Sequence, residues 1–286
     1  MICRIIISTA LTFIFSASFV TARAQEFEVY TRVYDESAAA GDAKATSGRK
    51  APIARSLTMF HAGKAYDYIE AIGELVIIDF DPAMPHYTLL STRRELATSV
   101  HFEEVKNTLQ VAARVADESI QRMETQGELR NPEAIGLHRF QRAPSFEETF
   151  DANGQRLTLS SPFLRYDVAC QEPVEPAFVD AYLRYADAMC RLNYILYPSL
   201  VYPESRLALN EALHRRKMLP TEVRLRLNLT NPVSLRAEHK ITWKLDRTDR
   251  RNIDDWETML NSRRVRRVSL HEYQQEVLGS LAKNQR

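Results

Sequence analysis

Alternating apolar and polar residues mark two segments late in the chain as β-strands. In TEVRLRLNL (221–229) and LRAEHKITWKLD (235–246), every second residue from Val223 and from Leu235 is apolar except for one histidine, and the residues between them are mostly charged or polar. Successive side chains of a strand point to opposite faces, so each strand is predicted to have one solvent face and one covered face. The covered positions are Val223, Leu225, Leu227, Leu229, Leu235, Ala237, His239, Ile241, Trp243 and Leu245.

Strand-forming segments also fill the first third of the chain. They are EFEVYTRVY, SLTMF, KAYDYI, ELVIIDF, HYTLLST and ELATSVHF. Turn residues at Ala62-Gly63, Ile72-Gly73 and Asp81-Pro82 predict short antiparallel connections, whereas the Ala/Ser/Gly-rich stretch 35–55 predicts a flexible loop. A further hairpin is predicted at Asn153-Gly154.

Helical periodicity separates these strand groups. Apolar residues at three- and four-residue steps predict helices over 103–123, from Pro176, after Pro203, over 253–260 and over 270–281. The segment around Asn131-Pro132 is interpreted as a polar loop. The predicted fold class is therefore α+β, with a curved antiparallel β-sheet covered by amphipathic helices.

The first 24 residues have the features of a secretory signal peptide. Arg4 precedes the uncharged run 5–20, and Ala22-Arg23-Ala24 supplies an A-x-A cleavage site. The apolar run is short for a membrane span, so we expect export with cleavage after Ala24 rather than anchoring. Cleavage leaves about 260 residues, enough for one large domain with its own core. We predict one domain over 25–286, located in the periplasm or cell envelope without a membrane span.

Charge and cysteine content narrow the classes of partner. The formal net charge is +1, which favours neither nucleic acid nor an anionic membrane surface. Cys170 and Cys190 remain after cleavage. In an oxidising compartment they could form a disulfide that closes a loop of about twenty residues and contributes roughly 3 kcal/mol in the chain-entropy model. Two buried free thiols are an equally weighted alternative.

Common catalytic and phosphate-binding motifs are missing from the sequence. It contains no H-E-x-x-H, G-x-S-x-G, G-x-x-x-x-G-K-[ST] or G-x-G-x-x-G, and has only eight glycines. The seven histidines are dispersed, so we expect neither a metal site nor a cofactor. His239 stands apart because the strand pattern places it on the covered face. It is either a ligand contact or general base, or a core histidine with a hydrogen-bond partner.

The polar stretch FHAGKAYDY, from Phe60 to Tyr68, has the composition of a catalytic cluster. Strand periodicity predicts a different arrangement, because Gly63 forms a turn and the residues after it alternate between faces. Lys64, Tyr66 and Tyr68 are expected on one face, with Ala65 and Asp67 on the other. Local geometry therefore does not bring His61 and Asp67 together.

The same region resembles a known family. In AGKAYDYIEAIGELVIIDFDPAMPHYTLL (62–90), a turn at Ala62-Gly63-Lys64 leads into strands and then a second turn at Phe80-Asp81-Pro82. This order is similar to a segment of the periplasmic lipoprotein carriers (LolA-like proteins). The resemblance implies a half-open antiparallel β-barrel with helices on its concave side, which carries lipid or lipoprotein cargo and catalyses nothing. A helical insertion at about 176–217 has no counterpart in those carriers.

These observations favour an exported, non-enzymatic binding or carrier protein. Its hydrophobic ligand would contact Leu225, Leu227, Ile241 and Trp243, although the same residues could equally form core. One alternative is an exported hydrolase assembled from distant groups, with His61, Tyr66, Asp67 and His239 as candidates. Another is an envelope interaction module that uses the loop 35–55 or the basic run 263–267. The sequence leaves the ligand and the oligomeric state open.

Overall fold

Twelve strands form one sheet within the part of the chain that the computed structural model describes, which is residues 26–37, 51–125, 132–197, 201–230 and 232–278. The predicted signal peptide and most of the predicted loop after Asp35 lie outside these residues. The strands are β1 (Phe27–Asp35), β2 (Ala54–His61), β3 (Lys64–Ile69), β4 (Glu74–Asp79), β5 (His86–Ser91), β6 (Leu96–His101), β7 (Glu147–Asp151), β8 (Arg156–Ser160), β9 (Leu164–Gln171), β10 (Leu219–Leu227), β11 (Val233–Thr242) and β12 (Arg266–Arg267).

Six α-helices connect or follow the strands in these residues. They are α1 (Phe102–Thr125), α2 (Pro132–Arg142), α3 (Pro176–Leu196), α4 (Pro203–Arg216), α5 (Arg247–Leu260) and α6 (Leu270–Tyr273), the last continuing as a π-helical turn, Gln274–Leu278. Within the described residues, none of the helices combines the length and apolar character that crossing a membrane requires.

Strand β1 lies in the middle of the sheet and joins two antiparallel meanders. The order is β12-β6-β5-β4-β3-β2-β1-β11-β10-β9-β8-β7, and only the short β12 pairs in parallel. Because β12 and β7 are its two ends, the sheet is not closed into a barrel. The α+β class and the antiparallel sheet predicted from the sequence are confirmed.

The two faces of the sheet carry separate hydrophobic cores. On the inner face, alternate strand residues such as Phe27, Val168 and Val223 pack against α3 and α4. On the outer face, Leu75 and other residues of β2–β6 pack against α5. The helix pair α3–α4 is the predicted insertion at about 176–217, and its buried stripe includes the tyrosines that line the site described below.

Strand alternation in the stretch 60–68 follows the prediction. The amine of Lys64 and the hydroxyl of Tyr66 bind Glu257 of α5 on the outer face, at 3.2 and 2.9 Å. Asp67 lies on the inner face, where its carboxylate accepts a hydrogen bond from Thr58 at 3.0 Å. One six-residue strand therefore supplies polar groups to both faces of the sheet.

Two local predictions differ from the structure. The hairpin at Asn153-Gly154 is present, but Asp151 pairs with Arg156, so its loop has four residues instead of two. The predicted polar loop after residue 131 is wrong in part, because helix α2 begins at Pro132. A Cβ atom on Gly136 of α2 would lie 2.7 Å from the Phe163 ring, so the glycine that weakened the helical pattern is what lets the helix approach that ring.

Candidate ligand-binding site

A cavity of about 370 Å³ lies between the inner face of the sheet and helix α3; we call it the sheet–helix cavity. Strands β1, β2, β3 and β11 form one wall, α3 forms the other, and Arg206 of α4 reaches it from the side. Its lining combines apolar and polar side chains. The apolar ones include Val29, Val33, Ile69, Ala186 and Met189, and the polar ones include Thr31, Thr58, Asp67, Tyr182, Tyr185 and His239.

The sheet register places these polar groups on neighbouring strands of one face. Thr31 of β1 is the partner of His239 on β11, and Thr58 of β2 is the partner of Asp67 on β3. Three interstrand steps of about 4.8 Å, with one offset along the strands, put the backbones of Asp67 and His239 roughly 15 Å apart. The two residues therefore stand at opposite ends of the cavity.

At one end, Asp67 is a buried carboxylate with hydroxyl partners. Thr58 Oγ1 lies 3.0 Å from Asp67 Oδ1 and 3.2 Å from the hydroxyl oxygen of Tyr185. Burial raises the pKa of the Asp67 carboxyl, and the hydroxyl hydrogen bonds only partly oppose that shift. Among the described residues, no arginine or lysine forms an ion pair with it. A neutral Asp67 could donate a hydrogen bond into the cavity.

At the other end, His239 has one ring nitrogen without a partner. Its Nδ1 lies 3.0 Å from Thr31 Oγ1, whereas its Nε2 is fully buried and has no hydrogen-bond partner among the described residues. Burial, reinforced by the positive charge of Arg206, lowers the pKa of His239 to about 3, so the imidazole is neutral at physiological pH. Buried polar atoms are nearly always hydrogen-bonded, so this nitrogen is an exception among the described residues.

Arg206 adds a cation to the His239 end. Its Nε donates to Asn210 Oδ1 at 3.0 Å, and Asn210 in turn donates to Asp187 at 2.7 Å. No carboxylate of the described residues forms an ion pair with Arg206. Burial raises the pKa of the Tyr182 hydroxyl, and the charge and hydrogen bonding of Arg206 partly oppose the shift. The guanidinium, this hydroxyl and the His239 imidazole therefore share one end of the cavity.

The four candidates for a hydrolase separate into two groups. Asp67 and His239 line the sheet–helix cavity from strands three steps apart in the sheet, and no hydrogen bond joins them in the described part of the chain. His61 instead pairs with Glu26 at 2.9 Å, and Tyr66 binds Glu257 on the outer face. Sequence reasoning missed Tyr182, Tyr185 and Arg206 as site residues. The available signal was tyrosine instead of phenylalanine within the apolar stripe of α3.

The residues predicted to contact a hydrophobic ligand belong to the inner core. Leu227 is buried there, and Leu225 and Ile241 pack against the same cluster. The Trp243 ring lies 5.3 Å from the Phe178 ring of α3, measured between centroids. None of the four is among the residues that line the sheet–helix cavity. Their role in ligand binding stays a prediction.

Cys170 and Cys190 are free thiols in the structure, the arrangement that the sequence left open beside a disulfide. Cys190 lines the cavity, and its Sγ donates to the Asp187 carbonyl at 3.3 Å. Burial raises the pKa of Cys190 to about 12 and that of Cys170 to about 11. Both thiols stay protonated near neutral pH, which makes them poor nucleophiles.

The groups that line the cavity can form hydrogen bonds with a ligand. A search of the described residues finds no group of three histidine, cysteine, aspartate or glutamate side chains that could hold a metal ion. The neutral imidazole, the hydroxyls and the buried carboxyl are instead hydrogen-bonding groups set into an apolar wall. No protein-family model matches this chain, and a search of curated proteins finds no significant match.

Proposed function

We propose that this is an exported, non-enzymatic binding or carrier protein that holds a small ligand in the sheet–helix cavity. The observation that carries the proposal is the lining of this cavity, where Arg206, which has no ion-pair partner among the described residues, and the hydroxyl-bearing side chains of Tyr182 and Tyr185 are set beside apolar wall residues. A ligand that bonds these groups would gain hydrogen bonds in a partly buried site.

The size and lining of the cavity support a small molecule. About 370 Å³ lies within the range of roughly 300–1,000 Å³ for ligand sites. Such sites are mainly apolar, with a few polar groups that fix orientation, and here Val29, Ile69 and Met189 provide apolar wall between the polar ends.

The proposal also includes a location in the cell envelope and a role as a carrier. They rest on the signal-peptide features of 1–24 and on the resemblance of 62–90 to LolA-like carriers. An open antiparallel sheet with helices packed on its inner face is compatible with a half-open, LolA-like barrel. In this proposal the cargo is a lipid or another amphipathic molecule, of which the cavity takes one part.

Blocking the cavity tests the proposal. Ala186 is a buried lining residue on α3, so Ala186→Phe would place a ring in the cavity. The probe is N-phenyl-1-naphthylamine, an uncharged fluorophore whose emission rises in apolar surroundings. We expect the wild-type protein to enhance its emission and Ala186→Phe to lose most of the enhancement.

The matched control is Ala177→Phe, near the start of the same helix and away from the cavity lining. It should retain the wild-type signal, and thermal unfolding should show that both variants are folded. Equal enhancement by the wild type and a folded Ala186→Phe, or no enhancement by the wild type, would overturn cavity binding.

Two alternatives remain weaker. The hydrolase alternative is favoured only by the presence of Asp67 and His239 in one cavity, and their separation opposes it. The interaction-module alternative included the basic run 263–267. There, Arg266 pairs with Glu272 and Glu276, and Arg267 donates to the Leu260 carbonyl, so these two side chains already have internal partners.

A further inference from the structure

One end of the sheet–helix cavity combines a cation with neutral hydrogen-bonding groups. Arg206 uses its Nε for Asn210, and no carboxylate of the described residues pairs with its guanidinium. Tyr182 and His239 line the same cavity, and their rings lie 6.2 Å apart between centroids. Arginines in partly buried surroundings usually have an anionic partner, because leaving a charge unpaired there is costly.

We propose that Arg206 and Tyr182 bind the oxyanion of an amphipathic ligand, a carboxylate or phosphate attached to an apolar body. This inference rests on the proposed function, since it assigns the ligand class of the same cavity. The arginine fork matches the geometry of both anions, and charge-assisted hydrogen bonds are stronger than neutral ones. The neutral His239 imidazole adds no competing charge to this end of the cavity.

None of the neighbouring carboxylates of the described residues forms an ion pair with Arg206, so a ligand anion can be its partner. Asp187 accepts a hydrogen bond from Asn210 and lies 3.9 Å from Arg191. Glu204 pairs with Arg142 of α2 at 2.5 Å. Both acids therefore have partners of their own, and the inner-face acid Asp67 is at the opposite end of the cavity, three strands away from His239.

The apolar body of the ligand would run from the anion site along the cavity wall. Val29 and Val33 of β1 and Ala186 and Met189 of α3 line this path on opposite sides. Burying an apolar chain there contributes about 25 cal/mol for each Å² removed from water, independently of the head group. The head group should therefore control selectivity while the body supplies affinity common to charged and uncharged ligands.

Displacement of bound N-phenyl-1-naphthylamine by competitors measures how much the head group and the apolar body each contribute to affinity. The competitors are decanoate, decyl phosphate and 1-decanol, which share one chain length and differ in the head group. In the wild-type protein, we expect the better anion to compete about tenfold more strongly than 1-decanol. Preference for decanoate or for decyl phosphate identifies which source of oxyanion the site favours.

Removing the cation should abolish this preference. Arg206→Gln is expected to lower the affinity for the preferred anion about tenfold while leaving 1-decanol unchanged. Arg191→Gln is the matched control, because Arg191 is a nearby arginine of α3 that does not line this cavity. It should keep the wild-type selectivity.

The outcomes distinguish this inference from the proposed function. If the probe binds but all three competitors displace it equally, or if a folded Arg206→Gln keeps the anion preference, the oxyanion site is wrong and cavity binding stands. If the wild-type protein does not bind the probe in the cavity at all, both proposals fall.

Discussion

The polar groups on the two faces of strand β3 differ in how fully they are paired. On the outer face, the Tyr66 hydroxyl and the Lys64 amine both bind Glu257, and Lys64 also lies 3.5 Å from Asp79. On the inner face, adjacent Asp67 has only hydroxyl partners among its resolved contacts, and across the cavity one nitrogen of His239 has none.

This difference separates a structural cluster from a binding site. The outer groups satisfy one another, so they hold α5 against the sheet and need nothing from solution. The inner groups line a cavity and do not neutralise one another, so they can bond a ligand that enters it. Chemical composition alone would have favoured the outer cluster as the binding site, because it contains more charged side chains.

The largest expected contrast concerns packing. Leu75 is completely buried in the outer core, so Leu75→Ala should lower the free energy of unfolding by about 2–5 kcal/mol. Met189 already borders the cavity, so Met189→Ala should cost an amount near the low end of that range. Urea denaturation measures both. A larger loss for Met189→Ala than for Leu75→Ala would show that the inner face is the more tightly packed one.

The second expected effect concerns how stability changes at acidic pH. The pKa of His239 is lowered to about 3 in the folded protein, whereas an unfolded histidine titrates near 6.5. The unfolded state therefore binds the extra proton first, and stability falls as pH drops below about 6.5, by roughly 2–3 kcal/mol at pH 4.5.

His239→Gln should lose that part of the acid sensitivity, measured by urea denaturation from pH 7 to 4.5. His101→Gln, at an exposed position on β6, is the control and should keep the wild-type pH profile. An unchanged profile in the His239→Gln protein would mean that the imidazole is not held in its neutral form.

The smallest expected effects come from the two neighbours on β3. Tyr66→Phe removes a hydrogen bond to Glu257 and should cost about 0.5–1.5 kcal/mol. Asp67→Asn should not cost stability at pH 7, because the folded state raises the pKa of this carboxyl. Raising the pH through the unfolded value near 3.9 therefore destabilises the wild type relative to the variant.

Urea titrations at pH 4 and pH 7 check both substitutions. The advantage of Asp67→Asn over the wild type should grow from the lower to the higher pH. A loss of stability for Asp67→Asn that exceeds the loss for Tyr66→Phe at pH 7 would reverse the proposed contrast between the faces.

The alternation of apolar and polar residues was sufficient to predict the strands and the face of the sheet to which their side chains point. The opposite directions of Tyr66 and Asp67 follow from that period, as does the inward position of His239. Helix α2 was missed because Asn131-Pro132 favours a loop, although Pro132 is the first residue of the helix. Gly136 also lowers the helix propensity, and the Phe163 ring that requires a glycine there is distant in sequence.

Only part of the site could be predicted from the sequence. Tyr182 and Tyr185 share the spacing of core residues, and the local sign of their role is a hydroxyl within an apolar stripe. Arg206 and His239 line one cavity only because α4 packs beside α3 and β11 pairs with β1, and these are long-range contacts. Periodicity likewise predicts α5 but does not specify that it covers the outer face.

The most direct test is native mass spectrometry of the protein purified from its own envelope without denaturant. The wild-type protein is expected to carry a small noncovalent adduct that dissociates on unfolding, and folded Ala186→Phe is expected to carry none. A wild-type protein with only the mass of the polypeptide, or an adduct that Ala186→Phe retains in equal amount, would contradict ligand binding in the sheet–helix cavity.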